Sequence, residues 1–212
     1  MATVGFPSPK ATESVPGIST ADQDAKRLVL SILRQPVVAR MTFSVGCIYI
    51  TPADYQRVVK AIEGGGITVK ADVRLDNQAF YNAATNRLTI SPELQDPGLI
   101  IHECTHAIFD LRAIVTHVED SEGLAYVAQA FYGRLSNGPQ GRYVVEPDPA
   151  NPMSWAAWQI IFDESARLAE MLTTTASVSE SEAAELFRAI RNTIWHRARL
   201  GRLEINDGVA GF

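Results

Sequence analysis

Apolar side chains at Leu28, Val29, Ile32 and Leu33 fall at helical spacing behind a cap at Ser19 or Thr20, and Pro36 stops the run. The pattern predicts an amphipathic helix ending near Arg34. From Val37 to Ile50 β-branched and aromatic residues predominate, which predicts extended chain. Thr51-Pro52 is a cap followed by a first-turn proline, so a second helix is expected over 52–63, closed by Gly64-Gly65-Gly66. Two extended segments follow, Ile67 to Val73 and Phe80 to Ile90, the second broken by a turn near Ala83 to Asn86.

The second half changes character. Asp96-Pro97 repeats the cap-and-proline start and opens a strongly apolar helix over 97–113, with another expected over 120–134. Residues 135–152 hold several Gly, Pro and Asn and predict a long irregular loop of the kind that borders a cleft. Two amphipathic helices, 153–172 and 180–199, complete the chain around the Ser/Thr-rich stretch Thr173 to Ser181. Strands followed by packed helices make the expected class α+β, with a small mixed or antiparallel sheet against the helix of 97–113 and a mainly helical C-terminal half.

Composition narrows the partners. A formal net charge of −5, with Lys and Arg never clustered beyond a pair, gives no footprint for nucleic acid or an anionic membrane. Apolar stretches are broken by charge short of the roughly 18 residues that a bilayer span needs. Residues 1–18, rich in Pro, Ser, Thr and Gly, read as a poorly ordered tail, and 19–212 as one domain with a sheet part in 19–134 and a helical part in 153–200. The first residues lack the charged start and apolar stretch of a secretory signal, and two cysteines cannot form a dense disulfide framework. The expected location is cytoplasmic, or exported without a signal of that type.

The candidate chemistry lies in Ile101-His102-Glu103-Cys104-Thr105-His106, an HExxH pattern inside the best-supported helix. Four residues advance a helix by about one turn, so His102 and His106 project from one face with imidazoles close enough to share a tetrahedral ion. Glu103, three residues before His106, stands beside such an ion, where a general base belongs. Read only as packing, two histidines one turn apart on an apolar helix are costly to bury without partners.

A catalytic zinc site needs a third protein ligand. After His106 come Ala107-Ile108-Phe109-Asp110-Leu111-Arg112, so Phe109 and Arg112 stand where the longer metzincin pattern has its glycine and third ligand. Downstream, Glu119-Asp120-Ser121-Glu122 opens the next helix, and a carboxylate in a first turn can point across to a preceding antiparallel helix. Glu122 is the preferred third ligand, with Glu119 and Asp120 as competitors, since acidic residues also favour helix starts for electrostatic reasons.

From Phe80 to Phe131 the arrangement resembles the gluzincin metallopeptidases of the zincin class, in which a helix bearing HExxH is followed by a second helix that supplies a glutamate. The resemblance implies a zincin-like fold, zinc as cofactor, His102, His106 and Glu122 as its ligands, and Glu103 as general base for hydrolysis of a peptide or protein substrate. It also likens Arg87 to Ser91 to the edge strand that aligns an extended peptide. Tyr126, His117, Tyr143 and His196 are candidates to stabilise the transition state, and Asp110 to orient a metal-binding imidazole. Cys104 reads as a small buried apolar residue. Val45-Gly46-Cys47-Ile48 has the glycine-cysteine pair of peptide deformylase without the rest of that signature.

Two other readings are kept. One is a metallopeptidase toxin or effector domain with a single protein target, for which an inhibitor or immunity partner would be unknown. The other is a non-catalytic helical interaction module with a structural zinc, in which Trp155, Trp158 and Trp195 would matter.

Overall fold

A computed structural model describes residues 19–138, 152–193 and 203–204, the side chains of 152–155 and 203–204 excepted. The expected tail over 1–18, most of the loop expected over 135–152, and Tyr143, Trp195 and His196 lie outside the described residues, as does the side chain of Trp155.

Helix α1 (Thr20–Leu33) starts where Ser19 Oγ accepts from the amide of Asp22 at 3.1 Å. Asp22 in turn accepts from Lys70 Nζ and from the amide of Ala71, each at 2.9 Å, and so ties the helix to the strand that follows α2. Burial opposes its charge, but these hydrogen bonds outweigh it and hold the carboxyl below its ordinary pKa.

The single extended run expected over Val37 to Ile50 is instead a turn of 3-10 helix at Val38–Arg40 and a tight hairpin, β1 (Phe43–Val45) and β2 (Ile48–Ile50). Gly46, at φ +58°, lets the chain reverse there. Helix α2 (Pro52–Gly64) has the expected start: Thr51 and Asp54 form a reciprocal capping box, and Gly65 in the left-handed region ends it.

Strands β3 (Thr68–Ala71), β4 (Ala79–Asn82) and β5 (Arg87–Ile90) form a mixed sheet in the order β3-β5-β4, with β5 parallel to β3 and antiparallel to β4. The strand expected at an edge, Arg87 to Ser91, is therefore the central one, and both of its edges are taken. The edge strand facing the candidate site is β4.

Helix α3 (Pro97–Leu111) starts on Asp96, whose Oδ1 accepts from the amide of Gly98 at 2.8 Å. It ends two residues earlier than expected. The amide of Ala113 returns to the carbonyl of Asp110 and that of Ile114 to Phe109, both at 2.9 Å, a Schellman closure with Ala113 at φ +50°. β6 (Thr116–His117) leads into α4 (Val118–Asn137), which starts two residues before the expected boundary and runs three beyond it.

Helix α5 (Pro152–Thr175) extends past its expected end at 172. The Ser/Thr stretch after it contains β7 (Ser177–Val178), which pairs parallel with β1. Helix α6 (Glu180–Asn192) opens on a Ser179–Glu182 capping box and stops well short of 199. Thr193 has extended backbone, and its hydroxyl donates to the carbonyl of Ile190. β8 (Leu203–Glu204) pairs antiparallel with β6.

The class is α+β, as expected: six helices and three small sheets among the described residues. Helix α3 is buried on nearly every side, packed by α1, α2, α4 and β4. Tyr55 on α2 reaches Thr105 on α3 inside this core at 3.2 Å, and Phe43 meets Phe131 on α4 edge-on at 5.7 Å. No described helix is long and apolar enough to cross a membrane.

Candidate metal centre

The HExxH segment occupies the middle of α3, and α4 returns alongside it, so the first turns of α4 face the turn that carries the histidines. His102 Nε2 and His106 Nε2 lie 3.3 Å apart. Glu122 Oε2 is 3.4 Å from the first and 3.8 Å from the second. Among the described residues this is the one group of three or more His, Cys, Asp or Glu side chains whose ligand atoms converge in this way.

The triangle can be tested against a metal. Two ligand atoms at about 2.05 Å from one tetrahedral ion are separated by about 3.3 Å. The observed sides come close to that spacing, and a point about 2 Å from all three atoms exists at their centre. The donor set, two imidazoles and one carboxylate, suits a divalent ion with one position left open. All three side chains are largely shielded from water. In such a place, imidazole lone pairs facing each other beside a carboxylate call for a cation or shared protons.

The nitrogens turned away from the triangle define how the rings are held. His106 Nδ1 is 2.9 Å from Ser121 Oγ, a fully buried hydroxyl. His102 Nδ1 is buried with no hydrogen-bond partner. Burial opposes protonation of His102, but Glu122 foremost, then Glu103 and Gln129, outweigh it and raise its pKa above the ordinary histidine value.

Glu103 is buried next to the ligands without belonging to their triangle, and its Oε2 accepts the amide of Tyr81 on β4 at 2.7 Å. Tyr81 also donates its hydroxyl to Asp110 Oδ2 at 2.6 Å. Asp110 is fully buried, and Asn86, with its amide turned to its better-satisfied orientation, donates to the same oxygen at 2.8 Å. Asp110 thus fastens the sheet to α3, while Ser121 takes the outward nitrogen of His106.

Of the three acidic candidates on α4, Glu122 joins the histidines. Glu119 instead approaches Arg191 on α6 at 3.9 Å. Asp120 sits among Glu119, His117, Glu180 and Arg191, and burial foremost, together with Glu119, raises its pKa. Helical phase sets Asp120 about 160° around α4 from Glu122, whose face toward α3 also carries Tyr126 and Gln129; Glu119 shares that stripe one turn earlier, and its side chain turns to Arg191 instead.

Tyr126 is buried with its ring 4.6 Å from that of His102 in an edge-on contact. Trp158 and Phe162 of α5 pack against it at 5.9 Å each. Trp158 is thus part of the wall behind His102. His117 is exposed, beside Asp120. Cys104 is fully buried, and burial pushes its thiol pKa up. Cys47 is exposed in the β1–β2 turn, away from the cluster.

Ser121 and Gln129 escaped the sequence reading. Gln129 had a legible signal, a polar residue seven positions after Glu122 on the same helix face, in the apolar run Leu124 to Phe131. The chain matches no family model, and it has no significant match among curated proteins or solved structures.

Proposed function

We propose that this protein is a zinc-dependent hydrolase of peptide bonds, a gluzincin-type metallopeptidase of the zincin class with Glu103 as general base. The observation that carries the reading is the His102–His106–Glu122 triangle with a second, non-ligating carboxylate one residue from a ligand. A structural zinc site has no use for that extra buried carboxylate and closes its coordination with a fourth protein ligand.

His102, His106 and Glu122 would hold the ion, which when bound supplies Lewis acidity, lowering the pKa of water to about 7 and polarising a carbonyl. Glu103 takes the proton of the attacking water and passes it to the leaving amine. Tyr81 keeps that carboxylate in place through its amide, which restricts the directions in which the proton can travel. Edge strand β4, rather than β5, borders the site and is the strand beside which an extended substrate would lie. Tyr126 and the aromatic wall of α5 exclude water from the His102 side, which strengthens every electrostatic interaction there.

The test is a peptide-library digestion with wild type and Glu103→Gln, each assayed for bound zinc. Hydrolysis by the wild type, abolished in the variant with zinc retained, is the expected result. Equal turnover by the two proteins, or none by zinc-loaded wild type across the library, would count against the assignment.

A further inference from the structure

Besides His102 Nδ1, a second buried side-chain atom near the cluster lacks a hydrogen-bond partner: Gln129 Oε1. Gln129 is 2% exposed and lies on the face of α4 that carries Glu122 and Tyr126. Its amide orientation is not arbitrary. Nε2 donates to Asp96 Oδ2 at 2.9 Å, and because an ionised carboxylate only accepts, that contact must be made by the NH2 group. Oε1 is thereby left on the other side of the amide with no partner, and Gln129 is close enough to His102 to raise its pKa as a hydrogen-bonding neighbour. Asp96 is fixed as well, since its Oδ1 is committed to the amide of Gly98 at the start of α3.

We propose that Asp96 and Gln129 form a positioning relay for His102: Asp96 Oδ2 orients the Gln129 amide, and Gln129 Oε1 accepts the Nδ1 proton of His102, leaving Nε2 as the bare nitrogen aimed at the Glu122 triangle. Ser121 performs the same service for His106 in one step. A ligating imidazole needs its second nitrogen held in this way to fix both tautomer and ring plane. The helix cap thus also sets the protonation pattern of a side chain two turns away.

The relay makes a prediction that a merely structural glutamine would not. In Asp96→Asn the new amide oxygen still caps the helix, because Asn and Asp are equivalent caps. The new NH2 group, however, meets the NH2 group of Gln129, and two donors cannot pair. Gln129 turns over, its own NH2 faces His102 Nδ1, and the imidazole proton moves to Nε2.

The experiment is nitrogen-15 NMR of the histidine rings in metal-free protein, recorded at a pH above the raised pKa of His102 so that the ring is neutral, paired with zinc titration against a competing chelator. The wild type is expected to hold His102 with its proton on Nδ1, and Asp96→Asn to hold it on Nε2. His106 keeps its tautomer in both. Zinc affinity in the variant falls by roughly 10–100-fold while thermal stability changes little. The same His102 tautomer in both proteins, or unchanged zinc affinity, would overturn the relay. Should Asp96→Asn fail to fold, Gln129→Met removes the acceptor at similar side-chain length, and unaltered zinc affinity in that variant overturns the proposal equally.

The relay rests on the zinc reading only for its affinity arm. Wild-type protein with the expected tautomers and no zinc binding would sink the ligand assignment and leave the relay standing. Zinc binding by a protein whose metal-free form holds the His102 proton on Nε2 would do the reverse.

Discussion

Tyr81 holds Glu103 by its backbone and Asp110 by its side chain, at 2.7 and 2.6 Å, and so grips α3 at two points two turns apart. The edge strand β4 and helix α3 are therefore positioned as one unit, with the carboxylate proposed as base at one contact and a buried carboxylate that fastens the sheet at the other. Only the second contact depends on the tyrosine side chain.

Tyr81→Phe separates the two. It removes the hydroxyl from a fully buried carboxylate, a loss of about 2 kcal/mol for a hydrogen bond to a charged group. The amide contact to Glu103 survives. Chemical denaturation should report the lost stability, while the metal content of the native protein stays that of the wild type; loss of metal would mean that the side chain also supports the ligands.

Gly123, next to Glu122, faces Phe187 and Ile190 of α6. A Cβ there would lie 2.4 Å from the Phe187 ring, inside any real contact distance. Gly123→Ala should force Phe187 and α6 outward, at a cost of about 1–3 kcal/mol. Thermal melting would register the change, and a wild-type melting temperature would show that the ring simply rotates aside.

Ala113 closes α3 in the left-handed region, where a side chain costs energy that glycine avoids. Ala113→Gly is expected to stabilise the protein by up to about 1 kcal/mol, reduced by the extra freedom glycine has when unfolded. Denaturant midpoints of the two proteins decide it, and a destabilised variant would contradict the role given to this turn.

The pH response follows from His102. Its pKa is raised in the metal-free folded protein, so the stability it contributes is fully present below about 6.5 and fades as pH rises through the raised folded value. An ion needs the same nitrogen without its proton, so its contribution runs the other way and grows with pH. The gap in melting temperature between zinc-loaded and metal-free protein should widen from pH 6 to pH 8. A gap independent of pH would show that no histidine proton is displaced.

Much of this was legible in the chain. Helix starts with a side-chain cap and a following proline, Thr51-Pro52 and Asp96-Pro97, were placed correctly because the cap is a local interaction. Helix ends were not: α3 stops through an alanine in a conformation usually left to glycine, and α6 stops at a threonine with no sequence breaker beside it. Strand order also stayed hidden, since the position of β5 between β3 and β4 is decided by pairing across the fold. His102 and His106 could be picked out because helical spacing puts them on one face, whereas Glu122 could only be preferred to Glu119 and Asp120, since Glu119 shares its stripe of α4 and side-chain direction is decided by the neighbouring helices. Ser121 and Asp110 could not be ranked, because a short polar side chain looks the same in sequence whether it meets an imidazole or a tyrosine.

The most direct measurement is elemental analysis of purified protein, wild type beside Glu122→Ala. About one zinc per wild-type chain and little or none in the variant is the expected result, because the triangle then loses its only carboxylate. A wild type that takes up no metal even after reconstitution, or a variant that binds as well as the wild type, would contradict it.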